Sequence, residues 1–160
     1  MAGDWDVDEG SFWGVAVAIA VVAALAAAAV FMVADAFSEE ALLVGLDEPE
    51  VLDIWNVMMV AAFFAFAGML VLRLLLQVVP AGDIFYTVIG TLFLLVSLLA
   101  IANVDTTAGN QVWLIAMHTA TYIVAVPVAT SMLGRVATRK PKFQPPPTPS
   151  APMQPPPSQV

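Results

Sequence analysis

One histidine and a few hydroxyl side chains are the residues that could take part in chemistry within the long apolar stretches of this sequence. His118 is the only histidine. Thr121, Tyr122 and Ala125 follow it at i+3, i+4 and i+7, so the four share one face of a helix. Ser97, on the preceding apolar stretch, is predicted to lie about equally deep from the same end and could hydrogen-bond to His118. These residues predict an internal polar seam, which can be a helix-packing contact or, alternatively, a proton relay or ligand contact.

Arg73 is the remaining candidate for a functional residue, and it lies near the end of a different apolar stretch. A long arginine side chain can bury its methylene groups and extend its charge to the lipid head groups. The alternative is an ion pair inside the bundle, because a charge within a membrane needs a partner. We expect the contact with head groups.

No set of residues typical of an active site is visible in the sequence. There is no cysteine, which excludes thiol catalysis, disulfides and thiolate metal sites. The apolar cores contain no acidic residue, and the hydrolase nucleophile elbow, the phosphate-binding loop and the HExxH zinc motif are missing. The formal net charge of −8 argues against nucleic-acid binding, which normally needs a basic face. We therefore expect no enzymatic activity, no cofactor, no metal and no nucleic-acid partner.

Four long apolar stretches must position these residues. Hydrophobic residues make up 61% of the chain and charged residues 11%, against about 45–50% and about 25% in soluble domains. At about 1.5 Å per residue, each stretch can cross a hydrocarbon core about 30 Å thick. Lipid offers no partner to free backbone groups, so the stretches must be helices. The predicted fold is all-α, an antiparallel four-helix transmembrane bundle over residues 12–134, with spans at about 12–34, 54–79, 84–104 and 111–133.

The positive charges predict the orientation of the bundle in the plasma membrane. Lysine and arginine number five in all, and one arrangement places all five in the cytoplasm, as the positive-inside rule requires. Both termini, including the acidic segment 1–11, are then cytoplasmic, and the acidic connection 35–53 is extracytoplasmic. The aromatic residues at the predicted span boundaries agree with an interfacial belt: Trp13 and Tyr86 inside, Trp55 and Trp113 outside.

The segment 135–160 is predicted to be a disordered cytoplasmic tail. Prolines recur from Pro141 to Pro157 and include two PPP runs. Proline lacks a backbone N–H and fixes φ, so such a segment favours an extended polyproline II conformation over a packed element.

Proline also interrupts the fourth apolar stretch. Pro127 removes one backbone hydrogen bond and crowds the carbonyl group of Ile123. A kink is therefore predicted within this span.

The stretches "VIGTLFLLVSLLAIANVDTTAGNQ" and "VWLIAMHTATYIVAVPV" make the chain similar to an uncharacterised family of small four-helix bacterial membrane proteins, a domain of unknown function. The resemblance covers roughly residues 12–133. It includes a serine in the third span (Ser97), a Met-His pair early in the fourth (Met117 and His118) and an arginine near the end of the second (Arg73). It implies a fold and a membrane location but no activity.

Two functions remain open from the sequence. The first is a structural or accessory membrane protein, or a subunit of a larger membrane assembly. The second is a small oligomeric transporter or channel that uses the polar seam around His118 and Ser97. The expected partners are membrane lipid, further copies of the chain or other membrane proteins.

Overall fold

Four long helical segments account for the four apolar stretches, as predicted. In the computed structural model they run over α1 (Glu9–Phe37), α2 (Ile54–Val78), α3 (Gly82–Ala102) and α4 (Ala108–Ile123), which continues through a π-helical turn, Val124–Val128, into α5 (Ala129–Ser131). Each of the four is long and apolar enough to cross a membrane. α1 extends a few residues beyond each end of the predicted first span.

The structure describes residues 5–37, 43–44, 50–104 and 106–139. The predicted proline-rich tail from residue 140 onward therefore lies outside the described residues. The start of the predicted tail is ordered, because Leu133–Val136 form a further short helix, α6, and Ala137–Arg139 form a strand, β4. The prediction of disorder from residue 135 thus differs from the structure over these first residues.

Short strands join segments that are far apart in the sequence. β1 (Trp5–Val7) pairs antiparallel with β4, with Trp5 opposite Arg139 and Val7 opposite Ala137. The chain entering α1 and the chain leaving α6 thus meet at one end of the bundle, which we call the terminal end. At the other end, the loop end, β2 (Leu43–Val44) pairs with β3 (Glu50–Val51) in the connection between α1 and α2.

Two buried clusters connect the helices, one towards each end. Near the terminal end, Phe12 at the start of α1 packs with Met69 and Leu76 late in α2, and with Leu133 and Val136 of α6. Near the loop end, a second cluster combines the last part of α1, the first part of α2, the end of α3 and the start of α4: Ala27, Ala34, Val57, Ala61, Ile101, Leu114 and Met117. Starts of helices therefore meet ends of their neighbours, as in an up-and-down bundle.

A very tight turn joins α2 to α3. Ala81 has a positive φ of 59°, a conformation that costs a residue with a Cβ atom more than it costs glycine. The next residue, Gly82, has no space for a side chain, because a Cβ atom there would lie 2.5 Å from the carbonyl oxygen of Leu75. The turn thus holds the start of α3 directly against the last turns of α2.

Pro127 interrupts the fourth span, as predicted, and the interruption takes the form of a π-helical turn. The N–H of Ala129 bonds to the carbonyl group of Val126 instead of that of Ala125. Such turns typically arise where a proline or an inserted side chain disturbs the regular hydrogen-bond ladder. The carbonyl group of Ala125 is consequently available to a side chain from another helix.

Candidate functional site

A cavity of about 630 Å³ lies between α2, α3 and α4. Most of its wall consists of aliphatic and aromatic side chains. A smaller number of polar side chains also line it: Asn56, Tyr86, Ser97, His118, Thr121 and Tyr122. The cavity thus has the size and the mixture of lining groups that are usual for small-molecule sites, which span about 300–1,000 Å³.

The predicted helical face of α4 lines this cavity. His118, Thr121, Tyr122 and Ala125 are all among its lining residues, and Ser97 contributes from α3. The structure therefore brings together four of the five predicted site residues around one space. Whether they act there as a functional seam stays a prediction.

The predicted hydrogen bond between Ser97 and His118 is absent among the described residues. Ser97 Oγ donates to the carbonyl oxygen of Phe93, 2.9 Å away, and His118 Nδ1 lies 2.9 Å from the carbonyl oxygen of Leu114. Thr121 Oγ1 likewise donates to the carbonyl oxygen of Met117 at 3.0 Å. Each of these three side chains forms its hydrogen bond within its own helix, as hydroxyl groups in apolar helices often do.

The polar contact that does bridge α3 and α4 joins Thr91 to Tyr122, whose hydroxyl oxygens are 2.8 Å apart. Thr91 also donates to the carbonyl oxygen of Thr87 at 2.8 Å. Counting along the two helices from the Thr91–Tyr122 contact, His118 lies level with about Leu95, so Ser97 is about 3 Å nearer to the loop end. This offset in depth explains why the predicted pair does not meet.

Tyr86 connects α3 to the π-helical turn. Its hydroxyl group donates to the carbonyl oxygen of Ala125 at 2.6 Å, and the side chain is only 3% exposed. The prediction that Tyr86 belongs to an interfacial aromatic belt is therefore wrong. The phenol instead satisfies a backbone group in the turn that Pro127 disturbs, in agreement with the usual need of a buried tyrosine hydroxyl for a partner.

Close packing accompanies this hydrogen bond. A Cβ atom on Gly90 of α3 would lie 2.5 Å from a methyl carbon of Val126. The absence of a side chain at Gly90 therefore lets α3 approach the π-helical turn closely.

Arg73 lies apart from the cavity, near the terminal end. One of its terminal nitrogens donates to the carboxylate of Glu9 at 2.6 Å, and its guanidinium lies 5.4 Å from the centre of the Trp13 ring. Arg73 thus forms an ion pair with the start of α1, and its contact with lipid head groups stays a prediction. The pair is partly exposed, with 31% of the Arg73 side chain accessible.

A second arginine repeats this arrangement at the terminal end. Arg139 of β4 lies 3.8 Å from the carboxylate of Asp83 and 5.1 Å from the centre of the Trp5 ring. Each arginine thus combines a carboxylate with an indole ring, a favourable pairing for a guanidinium group. Because the partners come from distant parts of the sequence, no local pattern could have revealed them.

Asp8 directly precedes α1 at the same end. Its carboxylate accepts a 2.6 Å hydrogen bond from Ser11 Oγ, and its backbone carbonyl accepts from the N–H of Phe12. The hydrogen bond from Ser11, followed by the backbone N–H groups of Gly10 and Ser11, lowers the pKa of Asp8 below its usual value. Asp8 therefore serves as an N-terminal cap.

Within the described part of the chain, no three histidine, cysteine, aspartate or glutamate side chains lie close enough to hold a metal ion. The arrangement instead offers an apolar space with a few hydrogen-bonding groups at membrane depth. Such a space can receive an apolar or amphipathic molecule, or a side chain of another protein.

Comparison with known proteins identifies a protein family for this chain. No curated protein and no solved structure matches the chain significantly. The model of a family of unknown function, DUF6069, matches residues 7–135, which include all four helical segments and the cavity. The chain belongs to this family of unknown function, in agreement with the resemblance that its sequence shows.

Proposed function

We propose that the chain is an accessory protein of a membrane assembly, without enzymatic activity of its own, and that α3 carries its contact with a partner. The observation behind this proposal is the uneven packing of the helices. Of the most apolar part of α3, 11% is buried, against 39% for α1 and 28% for each of the other two spans.

The exposed surface of α3 supports this choice. Val88, Leu92, Leu95 and Leu99 are all at least half exposed and follow one another at spacings of three or four residues. We call these four residues the outer face of α3. They do not belong to the lining of the cavity, so a helix of another protein could pack on them without entering it. In lipid, such packing depends on close contact between side chains.

The proposal includes a location in the plasma membrane with the terminal end in the cytoplasm. Arg73, Arg135 and Arg139 all lie at the terminal end among the described residues. An excess of lysine and arginine is typical of the cytoplasmic side of membrane proteins. Labelling of single cysteines from outside intact cells would test this, with a cysteine at Ser131→Cys expected to be protected and one at Val51→Cys expected to react.

The absence of cysteine from the chain makes the partner contact directly testable. Leu95→Cys places one thiol on the outer face of α3, and Leu74→Cys, on an exposed position of α2, is a matched control. Both are labelled with a photoreactive maleimide in native membranes and irradiated. We expect a discrete adduct of defined mass for Leu95→Cys and none for Leu74→Cys. If neither variant gives an adduct and the native protein is recovered only as a free monomer, the accessory role is wrong.

A transporter or channel is the second candidate, and the exposed side chain of His118 in the cavity favours it. Four helices alone enclose only a narrow path, so this function requires an oligomer. The protein reconstituted in liposomes is compared with His118→Ala. A loss of proton or solute flux in the variant would support transport, and equal flux for both would exclude a role of His118 in it.

A further inference from the structure

We propose that the cavity between α2, α3 and α4 binds a neutral lipid that carries a hydroxyl group, and that this hydroxyl donates a hydrogen bond to Nε2 of His118. This inference goes beyond the accessory role and does not depend on it. It concerns a molecule that is bound in the cavity, whether or not any molecule is transported.

The position of the cavity defines which molecules can reach it. Along α2 its lining residues extend from Asn56 to Val71, a length of about 22 Å. This segment lies within a helix that crosses the hydrocarbon core, which is about 30 Å thick. The molecules available at this depth are lipids, and the elongated shape suits a single hydrocarbon chain.

The hydrogen-bonding state of His118 defines what it can bind. A carbonyl oxygen only accepts, so the 2.9 Å contact with Leu114 places the hydrogen on Nδ1. In a neutral imidazole, Nε2 is then an acceptor. Nε2 has no hydrogen-bond partner among the described residues, although the side chain is exposed in the cavity lining. His118 lies within a helical segment that is long and apolar enough to cross a membrane. In hydrocarbon an acceptor without a partner is unfavourable, and a donor on the ligand would relieve it.

The neighbouring hydroxyl groups already donate their hydrogens to other protein atoms. Ser97 donates to Phe93, Thr121 to Met117 and Tyr86 to Ala125, in each case to a backbone carbonyl oxygen. Thr91 donates to Thr87, so the hydrogen in the Thr91–Tyr122 contact comes from Tyr122. The polar groups around the middle of the cavity therefore present acceptors, and they select a ligand that donates. A ketone, ester or ether of the same size would find no donor beside His118.

The lining also selects against a charged head group. None of the described lining residues carries a charge, and moving an ion into hydrocarbon without a partner is strongly unfavourable. A phospholipid would therefore keep its head group at the membrane surface, too far from His118 to bond to it. A long-chain alcohol, or another lipid with an uncharged hydroxyl head, can place the hydroxyl group at this depth.

Binding of three matched probes to the purified protein in detergent would test the inference. The probes are radiolabelled 1-hexadecanol, 1-methoxyhexadecane, which keeps the oxygen but lacks the donor, and hexadecane. Partition into protein-free micelles is subtracted. We expect the alcohol to bind about three- to tenfold more tightly than the ether or the hydrocarbon, as one hydrogen bond in a membrane protein allows. Equal affinities of the alcohol and the ether would overturn the proposal.

Variants then locate the site. His118→Phe removes the acceptor while keeping a ring, and should abolish the preference for the alcohol while hexadecane still binds, which also shows that the cavity is intact. His118→Gln supplies a carbonyl acceptor and should restore part of the preference. Ala67→Trp fills the cavity from α2 and should eliminate binding of all three probes, whereas Ala18→Trp on the exposed side of α1 should not. An alcohol preference that persists in His118→Phe, or binding that survives Ala67→Trp, would contradict the assignment.

Discussion

The terminal end of the bundle and the cavity use polar side chains in opposite ways. At the terminal end, Arg73 reaches Glu9 and Arg139 reaches Asp83, so each contact joins segments that are distant in the sequence. In the cavity, Ser97, Thr121 and His118 bond to carbonyl groups of their own helices. Charged pairs therefore hold the terminal end together, whereas around the cavity the contacts between helices come from the hydroxyl groups of Tyr86 and Tyr122 and not from Ser97, Thr121 or His118. Substitutions that change ligand binding without lowering the free energy of unfolding should therefore be found among the cavity residues that bond within their own helix.

The largest loss of stability is expected from Gly82→Ala in the turn between α2 and α3. The added Cβ would lie 2.5 Å from a backbone oxygen of Leu75, and backbone cannot move aside as a flexible side chain can. Overpacking of this kind costs about 1–3 kcal/mol. Gly14→Ala is the control, because nothing lies within 4 Å of its Cβ position. Thermal unfolding in detergent would compare the two, and equal midpoints would show that the turn adapts freely.

A smaller loss is expected from Tyr86→Phe, which keeps the ring but removes the hydroxyl group that bonds to Ala125. The carbonyl group beside the π-helical turn would lose its partner, at a cost of about 1 kcal/mol. Tyr122→Phe is a useful companion, because it removes the contact with Thr91 outside this turn. Unfolding of both variants in the same detergent provides the measurement. No change in Tyr86→Phe would mean that the carbonyl group of Ala125 finds another donor.

The ion pair between Arg73 and Glu9 should contribute less. Both side chains are partly exposed, and such pairs are worth about 0.2–1 kcal/mol. Glu9→Gln should lower stability at low ionic strength, and the difference from the native protein should shrink as salt is added, because salt screens exposed charges. Unfolding at low and high salt would measure this. A difference that does not depend on salt would point to packing rather than charge.

Asp8 should give a weak dependence of stability on pH. Its pKa is lowered in the folded protein, so the carboxylate favours folding above its usual pKa of about 3.8, and this contribution disappears as the pH falls through the folded-state value. Asp8→Asn should remove that part of the acid dependence. The unfolding midpoint would be followed between neutral pH and the acid range. Identical acid profiles for the two proteins would show that the cap has no effect on stability.

The smallest effect on stability is expected for Ser97→Ala in the cavity. Its hydroxyl group bonds only to Phe93 of the same helix, so its removal leaves a carbonyl group that already belongs to the helical ladder. The cost should stay below about 0.5 kcal/mol. Thermal unfolding of Ser97→Ala and Tyr86→Phe in the same detergent would compare the two losses of stability directly. A loss as large as that of Tyr86→Phe would show that Ser97 joins helices after all, and would remove the contrast between the two regions.

The sequence was sufficient for the spans because their length and apolar character depend only on composition along the chain. It could not supply β1 and β4, since strands of this length have no pattern of their own and form only when the bundle brings Trp5 beside Arg139. Tyr86 was misplaced because a tyrosine near a span boundary suits both the interface and a buried hydrogen bond.

The polar seam was predicted in outline and was wrong in detail. The helical spacing correctly grouped His118, Thr121 and Tyr122 on the cavity side of α4. The depth of Ser97 was counted from predicted span ends, whereas the helices begin and end a few residues away from them. Thr91 was missed, although the need of the Tyr122 hydroxyl for a partner was a signal that could have led to it.

The pairing of β1 with β4 places the first and last segments that the structure describes side by side. A circular permutant could therefore join these segments through a linker and open the chain between α3 and α4 instead, with the same helices in the same places. Its new ends would lie at the loop end, while the arginines would remain at the terminal end. The position of the chain ends and the position of the positive charges would then be separated, so such a permutant could show which of the two directs insertion into the membrane.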